Sequence, residues 1–139
     1  MESQLVLIAN DIYTTIGPGY NEVIYHRAFE VALRLSGIQY ESEVITPVFY
    51  KGHCVGHGRV DIKLPNFILE FKAVNTINND AIIQTRNYMN SHSMNCGMII
   101  NFGQSVKTNN SNLAIILIQN NHVYDLMNGI FVQRNEINI

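Results

Sequence analysis

The apolar pattern of the chain changes its period near residue 40, and this change limits the fold more than any other feature. Residues 3 to 16 and about 21 to 35 carry apolar side chains at helical spacing, which predicts two helices. From Val44 onward the apolar residues alternate with polar ones, which is typical of strands. A chain that begins with helices and continues with strands builds a mixed α and β domain.

The two predicted helices are separated by Gly17-Pro18-Gly19, where proline lacks a backbone donor and glycine permits unusual φ angles. Asn21 is the predicted N-cap of the second helix, and Gly37 is its predicted terminator. The spacing predicts inner stripes of Leu5, Ile8, Ile12 and Ile16 on the first helix and of Ile24, Ala28, Val31 and Leu35 on the second.

The later part of the chain is predicted to contain one further helix and a series of strands. The helix is expected over residues 80 to 91, with Asp80 as its cap. Turns at Asn120-Asn121 and Asn128-Gly129 would join the last three strands into a meander. Strands are expected over residues 44 to 50, 55 to 64, 67 to 74, 96 to 102, 113 to 118, 122 to 127 and 130 to 134.

These elements predict an α/β (α+β) fold in which helices flank a mixed β-sheet. The length of 139 residues fits a single domain over residues 1 to 139. We expect a core over residues 1 to 103, followed by a polar loop and a C-terminal β extension over residues 104 to 139. A hydrophobic content of 47% and a charged content of 14% exclude a disordered tail.

Composition also bounds the location and the partners of the chain. No apolar run approaches the roughly 20 residues that span a bilayer, and no basic region with a cleavage site begins the chain, so we expect neither membrane segment nor signal peptide. Cys54 and Cys96 are isolated. They favour a reducing, intracellular setting, cytoplasmic or viral in a host cell, with both thiols packed as small hydrophobic groups. The net charge of −2 neither indicates nor excludes a nucleic-acid binder.

Two acidic residues and a lysine form the most informative chemical pattern of the predicted sheet. Along the strand predicted over residues 67 to 74, the odd-numbered apolar side chains face a core, and Glu70 and Lys72 face the other way. Asp61 lies on the preceding strand, and a turn at Pro65-Asn66 can bring it opposite or diagonal to Glu70. Two carboxylates and one ammonium group would then meet on one surface of the sheet.

Hydrolysis of a phosphodiester requires groups of this kind. Carboxylates are hard oxygen ligands for Mg²⁺, which polarises the phosphate and lowers the pKa of a bound water. Lys72 would orient or deprotonate that water, or neutralise charge on the phosphate, and the backbone carbonyl of Phe71 is a further candidate metal ligand. The simpler alternative is a surface salt bridge that Lys72 forms with Glu70 or with Asp61. The apolar strand weighs against that alternative, because charges on a half-buried strand cost stability.

Several short motifs follow one another in order along the first part of the chain. Residues 19 to 25 read GYNEVIY, a GxxExxY pattern, and GRVD at residues 58 to 61, EFKA at 70 to 73 and IINFG at 99 to 103 follow. In this order, over roughly residues 5 to 103, they resemble the GxxExxY family of the PD-(D/E)xK nuclease superfamily. Val60 replaces the nominal proline of that motif, and the C-terminal meander extends beyond the resemblance.

The resemblance implies a PD-(D/E)xK core like that of restriction endonucleases and a Mg²⁺- or Mn²⁺-dependent nuclease that acts on DNA. Asp61 and Glu70 would be metal ligands, and Lys72 would be the catalytic lysine. Glu22, early in the second helix, would be an additional acidic residue of the catalytic site that reaches the metal or its water shell.

The helix over residues 80 to 91 also resembles known members of the superfamily. Residues 84 to 88 read QTRNY, similar to the QxxxY motif of helicase-nuclease and lambda-exonuclease-like members. The resemblance implies that Gln84 supports the metal site or its water, and that Tyr88, one turn away on the same face, is a candidate substrate contact.

Other polar residues are weaker candidates. Tyr25 is explained as readily by a place in the helix core as by a substrate contact. His26 either bonds to Glu22, four residues earlier, or lies on the helix surface. His53, His57 and Asp61 share parity on one strand, so a zinc site completed by His92 and Cys96 is a less favoured hypothesis. Four cations are candidate phosphate contacts, although an ordinary solvated charge is the favoured interpretation of each: Lys51, Arg59, Arg86 and Lys107.

Two further hypotheses about function stay open from the sequence. One is a nuclease-fold module that binds nucleic acid or a protein partner without cutting, motivated by the near-neutral charge and the C-terminal meander. The other is a homodimer of the junction-resolvase type, in which two sites cut opposed strands.

Overall fold

Seven strands form one mixed sheet in the computed structural model of the protein, which describes residues 1–104 and 113–135. Apart from Gln104, the polar loop predicted over residues 104 to 112, with Lys107, lies outside the described residues. The helices are α1 (Glu2–Ile16), α2 (Glu22–Leu35) and α3 (Asn79–Ser91). The strands are β1 (Glu41–Tyr50), β2 (His53–Lys63), β3 (Ile68–Lys72), β4 (Cys96–Asn101), β5 (Ala114–Gln119), β6 (His122–Met127) and β7 (Ile130–Gln133).

The strands follow one another across the sheet in chain order, from β1 to β7. Neighbouring strands are antiparallel except β3 and β4, which run parallel with α3 as their crossover. The α+β architecture predicted from the change of period is therefore confirmed. No helix of the described residues is long and apolar enough to cross a membrane.

Helices cover both faces of the central strands. On one face, α1 and α2 pack on the sheet through a buried cluster that includes Leu5, Phe29 and Leu69. On the other face, α3 packs through a second buried cluster that includes Ile68 and Ile82. Ile68 and Leu69 are neighbours on β3 and point to opposite faces, as the period of a strand predicts. The prediction that β4 is buried on both faces is also confirmed.

The inner stripe predicted for α2 is wrong, because a neighbouring stripe of the helix is the buried one. The fully buried side chains are Tyr25, Phe29 and Leu33. Both stripes have helical spacing, but the stripe with two aromatic rings buries more apolar area against the sheet. Because apolar side chains surround this helix, their period alone could not decide between the stripes. The predicted residues Ile24, Val31 and Leu35 are exposed by 36%, 45% and 85%.

The cap predicted for α3 is also wrong. Asn78 is the N-cap, and its Oδ1 accepts a hydrogen bond from the backbone N–H of Ala81 at 3.0 Å. Asp80 lies in the first turn, where a negative charge suits the helix dipole. Asn21 occupies the predicted cap position of α2, without a side-chain hydrogen bond there.

Both turns of the C-terminal meander lie where they are predicted. Asn120 and Asn121 have φ angles of 50° and 68°, and Asn128 and Gly129 have φ angles of 51° and 79°. Two consecutive residues with positive φ make the tight hairpin turn that matches the twist of the flanking strands. The meander therefore continues the same sheet beyond β4.

Candidate active site

The pairing of β2 with β3 opens at Asp61 and Glu70. The regular register pairs Lys63 with Ile68 and Ile62 with Leu69, and it ends there. Beyond that point carboxylates replace backbone groups. The backbone N–H of Asp61 donates to Glu70 Oε2 at 2.8 Å, and the backbone N–H of Phe71 donates to Asp61 Oδ2 at 2.8 Å. The two carboxylates thus lie in the opening and connect β2 to β3 across it. Asp61 and Glu70 therefore lie next to each other on adjacent strands, as the sequence predicts.

The pairing of β2 with β1 is also irregular at Asp61. Register pairs are formed by Ser42 with Ile62 and by Val44 with Val60, but Glu43, which lies between them, has a φ angle of 54°. Ile62 packs in the cluster under α1 and α2, whereas Val60, two residues earlier, packs in the cluster under α3. The faces of β2 therefore exchange at Asp61, and side-chain parity does not carry across this residue.

Burial and mutual repulsion dominate the electrostatics of the two carboxylates. Glu70 is only 5% exposed, and burial, followed by the charge of Asp61, raises its pKa from 4.5 to about 8. Burial also raises the pKa of Asp61, against the opposing effects of the Phe71 N–H and of the charges of His26 and Lys72. Two carboxyl groups in one desolvated opening cannot both ionise easily without a cation. The site therefore favours a bound proton or a bound positive ion.

Lys72 supplies one positive charge beside this pair. It ends β3, two residues after Glu70, and its charge lowers the pKa of both carboxyl groups. Lys72 also lines a cavity of about 280 Å³ together with Gln84 of α3. The structure thus brings the predicted catalytic lysine and the predicted supporting glutamine to one cavity, on the α3 side of the sheet.

The residues of the opening offer ligand atoms that fit a divalent cation. Asp61 and Glu70 offer hard oxygen atoms. Because N–H and C=O of one strand residue point the same way, the carbonyl of Phe71 faces β2, as its N–H does. Glu22 is exposed at the start of α2, and within the described residues no three His, Cys, Asp or Glu side chains are grouped as a metal site.

Tyr88 of α3 forms a wall of the opening. It lies against the part of β2 that comes just before Asp61. It is 8% exposed, and its hydroxyl accepts a hydrogen bond from the backbone N–H of Arg59 at 3.3 Å. The ring lies so close to β2 that a Cβ at Gly58 would be 2.6 Å from the hydroxyl oxygen. Only glycine permits this approach, so Gly58 and Tyr88 together fix the distance between α3 and the strand that carries Asp61.

His26 is a residue near the site whose role the sequence does not indicate. Its Nε2 lies 2.9 Å from Ser42 Oγ and 3.5 Å from Glu30 Oε2, and its ring contacts Phe71 at 5.5 Å between centroids. The bond to Glu22 considered from the sequence is not the one formed, because Glu30 lies on the other side, one turn later. The contact depends on how α2 crosses the sheet, which spacing alone does not reveal.

Asn101 is the second residue that sequence analysis missed. It is 2% exposed at the end of β4, opposite Lys72 in the parallel register. Its Oδ1 accepts from the N–H groups of Val74 at 3.0 Å and Gly103 at 3.1 Å, and its Nδ2 donates to the carbonyl of Val74 at 2.9 Å. Asn101 therefore holds the segment that follows Lys72. A polar residue at the end of an otherwise apolar run was the available signal.

Two predicted substrate contacts lie elsewhere. Tyr25 is fully buried, its hydroxyl donates to the carbonyl of Gly17 at 2.7 Å, and its ring stacks on Phe102 at 4.1 Å. It is a core residue that anchors the loop before α2. Arg86 donates to the carbonyl and to the Oδ1 of Asn121, both at 3.2 Å, and so ties α3 to the meander.

The residues of the zinc hypothesis do not converge. His57 pairs with Pro47 and His53 with Tyr50, and these partners lie three residues apart on β1, so the two histidines point to opposite faces. His92 Nε2 lies 2.9 Å from Thr46 Oγ1. Of the two cysteines, Cys96 is half-buried, but Cys54 is exposed, and the expectation that both thiols are packed was wrong.

Comparisons with known proteins concern the family and the fold of the chain. Residues 1–113 match the sequence model of the PD-(D/E)XK nuclease superfamily. The chain is also similar to a solved structure described as "Crystal structure of SSO0001", with a TM-score of 0.54 and 19% sequence identity over 70% of this chain and 50% of that chain. At this identity the similarity concerns the fold alone, and the chain spans about half the length of that structure. No curated protein sequence matches the chain significantly.

Proposed function

Because the chain belongs to the PD-(D/E)XK nuclease superfamily, we propose that it is a Mg²⁺- or Mn²⁺-dependent nuclease that hydrolyses phosphodiester bonds of DNA. The observation that carries the proposal is the pair of buried carboxylates in the β2–β3 opening, with Lys72 beside them. We place the chain in the GxxExxY family on its motifs, and we propose an intracellular site of action.

The residues of the opening divide the work between them. Asp61, Glu70 and the carbonyl of Phe71 would hold the ion, and Glu22 would reach its water shell. The ion would polarise the phosphate and lower the pKa of an attacking water. Lys72 orients that water or takes its proton, and Gln84 supports it from α3. Burial makes the charge of Glu70 more effective, because little solvent screens it.

The first experiment compares site variants with matched charge-removing variants at an ion pair between β1 and β2. Asp61→Asn, Glu70→Gln and Lys72→Ala should each reduce Mg²⁺-dependent cleavage of plasmid and oligonucleotide DNA by at least about a hundredfold, as loss of a charge-stabilising group does. Glu41→Gln and Lys63→Ala are the controls. Glu41 Oε2 and Lys63 Nζ form an ion pair with a distance of 3.7 Å, and this pair lies outside the opening. Cleavage at the wild-type rate by the three site variants would refute the assignment.

A second candidate function is a module that binds nucleic acid or protein without cutting. Its support is that no three acidic or other ligand side chains are grouped as a metal site in the part of the chain that the structure describes. Titration calorimetry with Mn²⁺ separates the two functions. A nuclease site should bind Mn²⁺, and the binding should disappear in Asp61→Asn, whereas a non-cutting module should bind the ion weakly in both proteins.

A further inference from the structure

The outer part of the β1–β2 hairpin, residues 44 to 60, differs in composition from the rest of the chain. None of the 11 Asp and Glu residues of the sequence falls within it, whereas Lys51, Arg59, His53 and His57 do. Arg59 forms an ion pair at 3.7 Å with Glu43, the residue just before this segment. In a chain with a net charge of −2, this segment, which we call the hairpin arm, is a local region of positive charge suited to a polyanion.

The hairpin arm also exposes large apolar and aromatic side chains. Phe49 and Tyr50 are 61% and 62% exposed, and Val48 and Val55 are 53% and 63% exposed. At the inner part of the arm Tyr88 of α3 lies against Gly58 and His92 lies against Thr46, whereas residues 47 to 57, its outer part, are all exposed. Because Phe49 and Tyr50 are consecutive residues of β1, their rings project from opposite faces of the arm. Each face therefore exposes a large ring that has no role in the core, and exposed apolar surface of this kind marks a place where another molecule binds.

Exposed rings next to cations match the chemistry of unpaired nucleotides. The ammonium group of Lys51 lies 5.3 Å from the centroid of the Tyr50 ring, so a base stacked on the ring would place its phosphate near a positive charge. The bases of a duplex already stack on one another and cannot use such rings. An apolar protein partner would use the rings but not the excess of cations. The arm therefore favours a single-stranded segment of nucleic acid.

The arm leads directly to the carboxylate pair. Its tip is the tight turn at Lys51-Gly52, where φ is 47° and 80°, and β2 runs from there to Asp61. At about 3.3 Å per residue, tip and opening are roughly 30 Å apart along one strand. A strand of nucleic acid that lies along the arm would therefore be led past Tyr88 of α3, which lies against Gly58 and Arg59, to the opening.

We propose that the hairpin arm binds unpaired nucleotides of the substrate through Phe49 and Tyr50 and directs them to the opening at Asp61. The proposal rests on the proposed nuclease function and specifies its substrate as nucleic acid with a single-stranded segment beside the cut.

The test measures binding, so that it does not depend on cleavage. Fluorescence anisotropy with the full chain, in EDTA, compares a labelled 20-nucleotide oligothymidylate with a 20-base-pair duplex. In the double variant Phe49→Ala, Tyr50→Ala, the affinity for the single strand should fall about tenfold or more, and the affinity for the duplex should change much less. The matched control is Leu7→Ala, Ile130→Ala, whose residues are 69% and 67% exposed away from the arm and whose affinities should stay unchanged.

Three results would overturn the proposal. One is unchanged affinity of the double variant for the single strand. Another is an equal loss of affinity for single strand and duplex, which would mean that the rings do not select unpaired bases. The third is a fall in solution mass with unchanged affinity, since the arm would then join two copies of the chain. Circular dichroism confirms that the variants are folded. If the wild-type chain binds the single strand through the arm but cuts no DNA, the nuclease proposal fails and the arm proposal stands.

Discussion

Two buried polar clusters lie on neighbouring strands at the centre of the sheet, and the protein satisfies them differently. On β4, the neutral amide of Asn101 makes hydrogen bonds to both backbone groups of Val74 and to the N–H of Gly103. In the β2–β3 opening, Asp61 and Glu70 each accept a backbone N–H, but both pKa values stay raised. The first cluster is complete within the protein, and the second needs a proton or a cation.

This difference separates the structural role of Asn101 from the role proposed for the carboxylate pair. A buried amide with all its partners stabilises the chain around it. A buried carboxylate pair lowers the free energy of unfolding at neutral pH and is useful to the protein only if it binds something positive. The two clusters are nevertheless linked, because Asn101 pairs in register with Lys72 and holds the chain two residues beyond it.

The largest expected effect comes from breaking the complete cluster. Asn101→Ala leaves the N–H groups of Val74 and Gly103 buried without their acceptor, and it should lower the free energy of unfolding by about 3 kcal/mol. Urea unfolding checks this value. Asn101→Asp keeps an acceptor for both groups and should restore part of the loss, whereas the exposed Asn90→Ala is the neutral control. A loss below that of Asn90→Ala would mean that the amide is dispensable.

The second effect has the opposite sign and comes from neutralising the incomplete cluster. Glu70→Gln removes a carboxyl group whose pKa is raised to about 8, so at pH 8 without divalent ions it should raise the free energy of unfolding by about 2 kcal/mol while abolishing cleavage. The control is Glu41→Gln, an exposed carboxylate on β1. Destabilisation by Glu70→Gln under these conditions would show that the pair is stabilising by itself.

The third effect is a pH dependence specific to the same cluster. Between pH 4.5 and about 8 the folded state holds a proton on Glu70 that the unfolded chain releases. Stability without metal should therefore fall as the pH rises through this window, by up to about 1.4 kcal/mol per pH unit, and should level off above it. Melting curves in EDTA measure this slope. Glu70→Gln should flatten it, and saturating Mn²⁺ should reduce it, because the ion favours the deprotonated pair.

The smallest expected effect concerns the wall of the opening. Tyr88→Phe removes the acceptor of the Arg59 N–H but keeps the ring over Gly58, so it should lower stability by only about 0.5 kcal/mol. Thermal melting measures the stability, and cleavage kinetics should show a modest loss. A loss of cleavage as large as that of Lys72→Ala, with stability little changed, would place Tyr88 among the groups that act on the reacting phosphate instead of on the geometry of β2.

Much of the architecture follows from local pattern alone. The change of period, the two-residue turns with Asn and Gly, and the apolar run of β4 predict the elements correctly because each depends on neighbours in sequence. The opposition of Asp61 and Glu70 was also predictable, since a short turn at Pro65-Asn66 fixes the register of β2 on β3. The buried stripe of α2 was not predictable, because Leu33 and Val31 are both apolar and only packing against the sheet decides which of them is buried.

The sequence by itself determined the order of the elements and was enough to propose the set of Asp61, Glu70 and Lys72. Only the tertiary structure decided that the β2–β3 ladder ends at the carboxylates, that β2 exchanges its faces at Asp61, and that Asn101 holds the segment after Lys72. The reason is physical. Local periods depend on backbone geometry, whereas burial, pKa shifts and side-chain bonds between distant residues depend on which surfaces pack together.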